Sequence, residues 1–144
     1  MAYSFEQHKI VGAIAADDEY WRGLEDGKFK LPRCAGCRNW TWPAHFRCGQ
    51  CGSWEFEWVE LEPKGRIFTW TRTQYAFDRV MERKEDVPYV TAVVEIPEAG
   101  GARVMGVLQG DETGLRIGAN VRGTIDPPSA KTKWYPSIRW EIER

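Results

Sequence analysis

The sequence predicts a mainly β protein: a short N-terminal helix, a four-cysteine ribbon of rubredoxin-like form, and a five-stranded barrel of the OB-fold type. Three observations carry this prediction. All four cysteines fall in two Cys-x-x-Cys pairs, Cys34/Cys37 and Cys48/Cys51. After residue 64 the chain breaks into five short alternating or β-branched runs separated by Gly- and Pro-containing turns. Ahead of the cysteines only one stretch, 17–26, has helical periodicity. The expected boundaries are an arm and helix over 1–30, a ribbon over 31–62 and a barrel domain over 63–144.

The stretch 1–16 has no period and is expected to be an extended arm. In 17–26, Asp17 and Asp18 place carboxylates at the positive helix start, and Gly27 suits the stop. Tyr20, Trp21 and Leu24 share one face. Ten residues of helix are marginal alone, so this face must be covered, either within the chain or by a partner subunit.

Each cysteine pair can fill two corners of a tetrahedron, and two pairs complete the closed all-thiolate arrangement of a structural zinc site. Gly36 and Gly49 lie inside the pairs, where turns aim backbone N–H groups at sulfur. Disulfides would need an oxidising compartment, and neither a secretion signal nor a wider cysteine framework supports one. A redox Cys-x-x-Cys would need only one pair in a βαβ setting. His45 is read as an ordinary hairpin residue, because four sulfurs already fill the site. Trp40, Trp42 and Phe46 are expected to wrap the metal.

The barrel strands are expected at 66–73, 89–96, 103–109, 121–125 and 137–143. Two connections stand out. The stretch 74–88 is long for a barrel turn, and connections of that length tend to be functional or mobile. The second, 126–136, carries Lys131, Lys133, Trp134 and Tyr135.

Composition removes some function classes. The formal net charge of -1 argues against a dedicated nucleic-acid binder. No run approaches the roughly 20 apolar residues of a membrane span, and reduced thiolates fit a cytoplasmic protein. Only His8 and His45 supply imidazole, and no cysteine is left over as a nucleophile.

The order of modules resembles the acyl-CoA-associated zinc-ribbon/OB-fold family, long called a domain of unknown function. The resemblance is carried by an aromatic helix leading to Gly27, Leu31-Pro32-Arg33-Cys34, and the segment 43–48 running to Cys51-Gly52-Ser53 and Glu57-Trp58. It continues through Gly65-Arg66-Ile67, Val87-Pro88-Tyr89-Val90 and Leu115-Arg116-Ile117-Gly118. It implies a structural Zn2+ and a non-catalytic companion of a thiolase-superfamily enzyme, in a hetero-oligomer that handles acyl-CoA. Such partners include acetyltransferases, HMG-CoA synthases, and the thiolases or aldolases of steroid and aromatic-acid degradation.

Under that resemblance, Tyr20, Trp21 and Leu24 are the candidate partner-binding face. A CoA ligand asks for cations, a stacking surface and a narrow apolar groove. Arg79, Arg83, Lys84, Lys131 and Lys133 are candidate cations, and Phe77 and Trp134 candidate rings. The plainer reading of each is a solvated charge or a ring capping the barrel. Two other functions remain as alternatives: a nucleic-acid-binding zinc-ribbon/OB module, and a free-standing acyl-CoA-binding protein.

Overall fold

A computed structural model describes residues 4–144. The helix α2 spans Asp18–Glu25 and is preceded by a single helical turn, α1, at Phe5–His8. A two-stranded antiparallel sheet follows, with β1 at Phe29–Cys34 and β2 at Phe56–Leu61. The cysteine knuckles sit in the hairpin between these strands. Five strands then close a barrel: β3 Lys64–Thr73, β4 Tyr89–Ile96, β5 Ala102–Leu108, β6 Asn120–Asp126 and β7 Ser137–Ile142. Their order is β3-β4-β5-β7-β6, with β6 returning to β3. All pairings are antiparallel except β5 with β7. This is the five-stranded Greek-key closure of an OB-fold.

Closure imposes a tight crossing at Gly65. There β3 pairs with β6 through Gly65 and Val121, while the adjacent Arg66 pairs with Glu95 of β4. A Cβ on Gly65 would lie 2.2 Å from the Glu95 carbonyl oxygen, so the strands can approach only with hydrogen in that place. Gly65→Ala is expected to cost about 3 kcal/mol, read as a lowered urea midpoint at unchanged slope.

One cluster of buried side chains runs through helix, ribbon sheet and barrel. Tyr20 meets Phe29 edge-on with ring centroids 6.2 Å apart, and Phe29 meets Trp140 the same way at 6.2 Å. Trp140 on β7 is completely buried. The short helix is therefore held by rings from two other elements, which supplies what eight residues of propensity cannot.

Three expectations need correction. The arm is not extended throughout: Phe5 is fully buried, edge-on to Tyr135 at 5.2 Å, and its N–H points at the Glu25 carboxylate, 3.4 Å away. Residues 1–3 of the expected arm lie outside the described residues. Tyr20 and Leu24 are each only 2% exposed, because the apolar face of α2 is consumed by this chain's own core. They cannot form an outward docking face, and only the half-buried Trp21 keeps surface there. The ribbon rings also serve a different purpose. Trp42 packs on Tyr20 at 4.5 Å, and Trp40 lies against Gly100 of the β4–β5 turn, so both join ribbon to helix and barrel. Phe46 is exposed.

No helix among the described residues is long and apolar enough to cross a membrane.

Candidate metal centre and interstrand groove

The four cysteine sulfurs converge at the tip of the ribbon, all within 4.8 Å of one another. Cys34 Sγ lies 3.5 Å from Cys51 Sγ, and Cys37 Sγ lies 3.6 Å from Cys48 Sγ. A tetrahedral thiolate site with metal–sulfur bonds of about 2.3 Å has edges of about 3.8 Å. The donor set therefore fits a four-coordinate ion with little movement.

The local chain explains the convergence. In the first knuckle the Cys34 N–H donates to the Asn39 carbonyl at 2.8 Å and the Arg38 N–H to the Cys34 carbonyl at 3.0 Å, with Arg38 itself at φ +67°. The second knuckle repeats this between Cys48, Ser53 and Gly52, and Gly52 takes φ +80°. Of the two glycines inside the knuckles, Gly36 is the more closely packed, since a Cβ there would meet Cys51 Sγ at 3.3 Å. Gly49 stands in the open. The Cys37 N–H, then that of Gly36, draws the Cys34 thiol down to about 6. Cys48 is lowered likewise by the N–H groups of Cys51 and Gln50. Cys37 goes the other way: the Asn39 N–H pulls it down, but desolvation and the neighbouring sulfurs of Cys48, Cys51 and Cys34 together push it up to about 11. One sulfur of each knuckle, Cys34 and Cys48, thus favours thiolate, the form that binds metal.

A second feature lies where the barrel meets the ribbon. Strands β5 and β7 pair only at Val107–Arg139 and Leu108–Trp140, then diverge. The divergence opens a groove of about 340 Å³. One wall is β5 from Arg103 to Val107 and another is the start of β7; Tyr20, Trp21, Trp42 and Pro43 form the roof. Its lining includes Arg83, Arg103 and Arg139 but no carboxylate. Gly106 lets β7 and its Trp140 ring come close to β5, since a Cβ there would lie 2.7 Å from the Ile138 carbonyl oxygen and 2.8 Å from Trp140 Nε1.

The loop residues expected to meet a CoA ligand are distributed unevenly. Two short 3-10 turns, Asp78–Arg83 and Ala130–Thr132, bring the long loops side by side. Lys131 pairs with Asp86 at 2.5 Å and Lys133 with Glu82 at 3.2 Å, so both cations are already matched by carboxylates. Arg83 lies over the Tyr89 ring and 3.6 Å from Asp86, and alone among these cations it lines the groove. Arg79 and Lys84 are exposed and make no ion pair among the described residues. Phe77, 67% exposed, packs edge-on against Tyr75 at the loop tip, whereas Trp134 neighbours His8. The groove residues Arg103, Met105, Gly106 and Arg139 were not singled out from sequence. Only a glycine inside a strand pattern hinted at a close approach.

Lys131 and Lys133 of the loop-to-loop ion pairs are exposed, so these pairs order the loops more than they stabilise the fold. Asp86→Ala is expected to change stability by less than about 1 kcal/mol while raising hydrogen-exchange rates across residues 78–86 and 130–135.

Residues 58–126 match a family model described as the C-terminal OB-fold domain of ChsH2. A probable enoyl-CoA hydratase alpha subunit of Thermomonospora curvata is 28% identical over 99 residues, 68% of this chain and 29% of that one. A DUF35 domain-containing scaffold protein of Methanocaldococcus jannaschii is 32% identical over 88 residues, 60% of this chain and 59% of that one. The chain spans less than two thirds of either curated relative. Among solved structures, a chain of an Ltp2-ChsH2(DUF35) aldolase shares the fold with TM-score 0.73 at 22% identity, over 92% of this chain and 98% of that one. A DUF35-family protein of unknown function from Sulfolobus solfataricus gives TM-score 0.58 at 20% identity, over 96% and 92% of the two chains. The barrel is thus similar to the OB-fold domain of ChsH2, and the fold is shared along 92% of this chain with the Ltp2-ChsH2(DUF35) aldolase chain.

Proposed function

We propose that this chain is a non-catalytic accessory subunit, with Zn2+ as a structural ion in its ribbon. It binds a thiolase-like enzyme that forms or cleaves carbon–carbon bonds of acyl-CoA substrates, and it helps shape that enzyme's acyl-CoA site. The observation that carries this reading is the cysteine centre. All four thiols of the chain converge on one point, so none remains as a nucleophile and four sulfurs leave an ion no open position for substrate. When bound, the ion supplies cross-linking of the two knuckles. What the chain then offers is surface: the groove under α2, the exposed Tyr75–Phe77 tip, and the ribbon end.

The names of the relatives support the same direction. One is an enoyl-CoA hydratase subunit, one a scaffold protein, and one structural neighbour comes from an aldolase assembly. The test is co-expression with thiolase-like enzymes encoded beside it, followed by mass measurement and assay of carbon–carbon bond formation or cleavage. The expected result is a stable hetero-oligomer whose enzyme loses at least tenfold activity or precipitates without this chain. An enzyme that is soluble and fully active alone sinks the reading. Direct titration of the isolated chain with CoA separates an accessory role from a free-standing binder, since only the latter binds without the enzyme. Steeply salt-dependent binding to single strands would instead revive the nucleic-acid alternative.

A further inference from the structure

The four sulfurs at the ribbon tip are not equivalent. In each knuckle the first cysteine, Cys34 or Cys48, is buried, and the second, Cys37 or Cys51, is exposed. The close sulfur contacts run between knuckles. Cys37 Sγ lies 3.6 Å from Cys48 Sγ, and Cys51 Sγ lies 3.5 Å from Cys34 Sγ. Each exposed sulfur therefore faces a buried sulfur of the opposite knuckle. Within its own knuckle Cys48 Sγ instead receives the Gln50 N–H at 3.4 Å. A disulfide bond is about 2.05 Å long, so each crossing pair closes with an approach of about 1.5 Å.

The pairing decides what an oxidised ribbon becomes. Bonds inside the knuckles, Cys34–Cys37 and Cys48–Cys51, leave the two knuckles unconnected. Bonds from Cys34 to Cys51 and from Cys37 to Cys48 are nested, spanning 17 and 11 residues of the same hairpin. They tie together the same stretches of chain that an ion at this centre ties, and they restrict the unfolded hairpin as disulfides do. Oxidant in solution meets the exposed sulfurs first.

We propose that the ribbon tip is a peroxide-responsive centre, in which exposed Cys37 and Cys51 each close on the buried sulfur of the opposite knuckle. The ion is thereby exchanged for two nested disulfides that keep the hairpin folded. Metal-bound cysteines are thiolates. Hydrogen peroxide takes an electron pair from the exposed thiolate, giving a sulfenic acid and one hydroxide. The facing thiolate attacks that sulfur and expels a second hydroxide, so one peroxide converts two thiolates into one disulfide. Two peroxides consume all four donors, and the ion is released. That the ion is Zn2+ rests on the reading above; the sulfur pairing does not.

The test treats the full, metal-loaded chain with two equivalents of hydrogen peroxide. Zinc release is read with a coloured chelator, and disulfides by mass mapping of an unreduced tryptic digest. Cleavage after Arg33, Arg38 and Arg47 leaves Cys34 and Cys37 in one peptide and Cys48 and Cys51 in another. The expected product is these two peptides joined, with fragmentation assigning Cys34 to Cys51 and Cys37 to Cys48. Dimedone, which traps sulfenic acids, should mark Cys37 and Cys51 at least tenfold over Cys34 and Cys48. Amide exchange over residues 33–57 should change less than threefold on oxidation, against more than tenfold when a chelator strips the metal from the reduced chain. Unlinked peptides, the opposite crossing pattern, or dimedone on the buried pair instead overturns the proposal. So does metal retained with four intact thiols, or an oxidised ribbon that exchanges as fast as the reduced, stripped one. A chain that holds no zinc yet closes the same two bonds sinks the zinc reading and upholds the pairing. A zinc-loaded chain that oxidises within its knuckles does the reverse.

Discussion

Cys34→Ser is expected to abolish metal binding and melt the ribbon between β1 and β2, while the barrel keeps most of its β-structure. Cys34 is buried between the two strands and its sulfur lies 3.5 Å from that of Cys51. Serine offers a poorer ligand and leaves three thiolates, two of them repelling at close range. Structural zinc sites contribute on the order of 10–16 kcal/mol of binding free energy in small peptides at neutral pH. A hairpin this small has little other core to offset its loss. The measurement is metal content by mass spectrometry, with hydrogen exchange over residues 33–57 and, separately, over the barrel strands. If metal is lost but the ribbon stays protected, the centre is not what holds the hairpin. On the accessory reading the same variant should also lose the partner, because the groove residues Trp42 and Pro43 are carried on this hairpin. A variant without metal that still assembles normally would remove that link.

Trp140→Ala is expected to have the largest effect on the barrel, costing about 3–5 kcal/mol. The indole is completely buried, touches Phe29 from the ribbon sheet, and closes the barrel from the strand that pairs with both β5 and β6. Its removal opens a cavity beneath Gly106 and Gly123, whose own missing side chains were what made room for the ring. Collapse of that space is resisted from three sides, so little of the loss is recovered. Trp140→Phe should cost clearly less. It keeps most of the packing and discards an indole N–H that is buried without an acceptor among the described residues. Chemical denaturation of both variants checks this. Equal losses would show that the indole nitrogen, not ring volume, matters at this position.

The cysteine site was legible in the sequence because its information is local. Two Cys-x-x-Cys pairs need only one hairpin to meet, and the hairpin's strands flank them directly. The five barrel strands were legible for a similar reason: alternation along 89–96 or 137–143 reports one wet and one dry face, whatever the neighbours are. The helix was found too, but what covers it was not. Nothing in the spacing of Tyr20, Trp21 and Leu24 distinguishes an apolar face that meets Phe29 and Trp42 from one that meets another subunit. Only packing distinguishes them.

The loop cations show the same limit. Lys131 and Lys133 read as phosphate ligands by type, yet Asp86 and Glu82, some 45 to 51 residues earlier in the chain, neutralise them once the loops are side by side. The sequence by itself determined the four-thiol donor set and the strand set, since these follow from residue types and short-range spacing. The tertiary structure alone decided that α2 faces inward and that β5 and β7 part after two residues to leave a groove. The first arises from Phe29 and Trp42 meeting Tyr20 across distant parts of the chain. The second arises from closure of a non-local parallel pair, and a strand's own residues carry no record of how far its partner accompanies it.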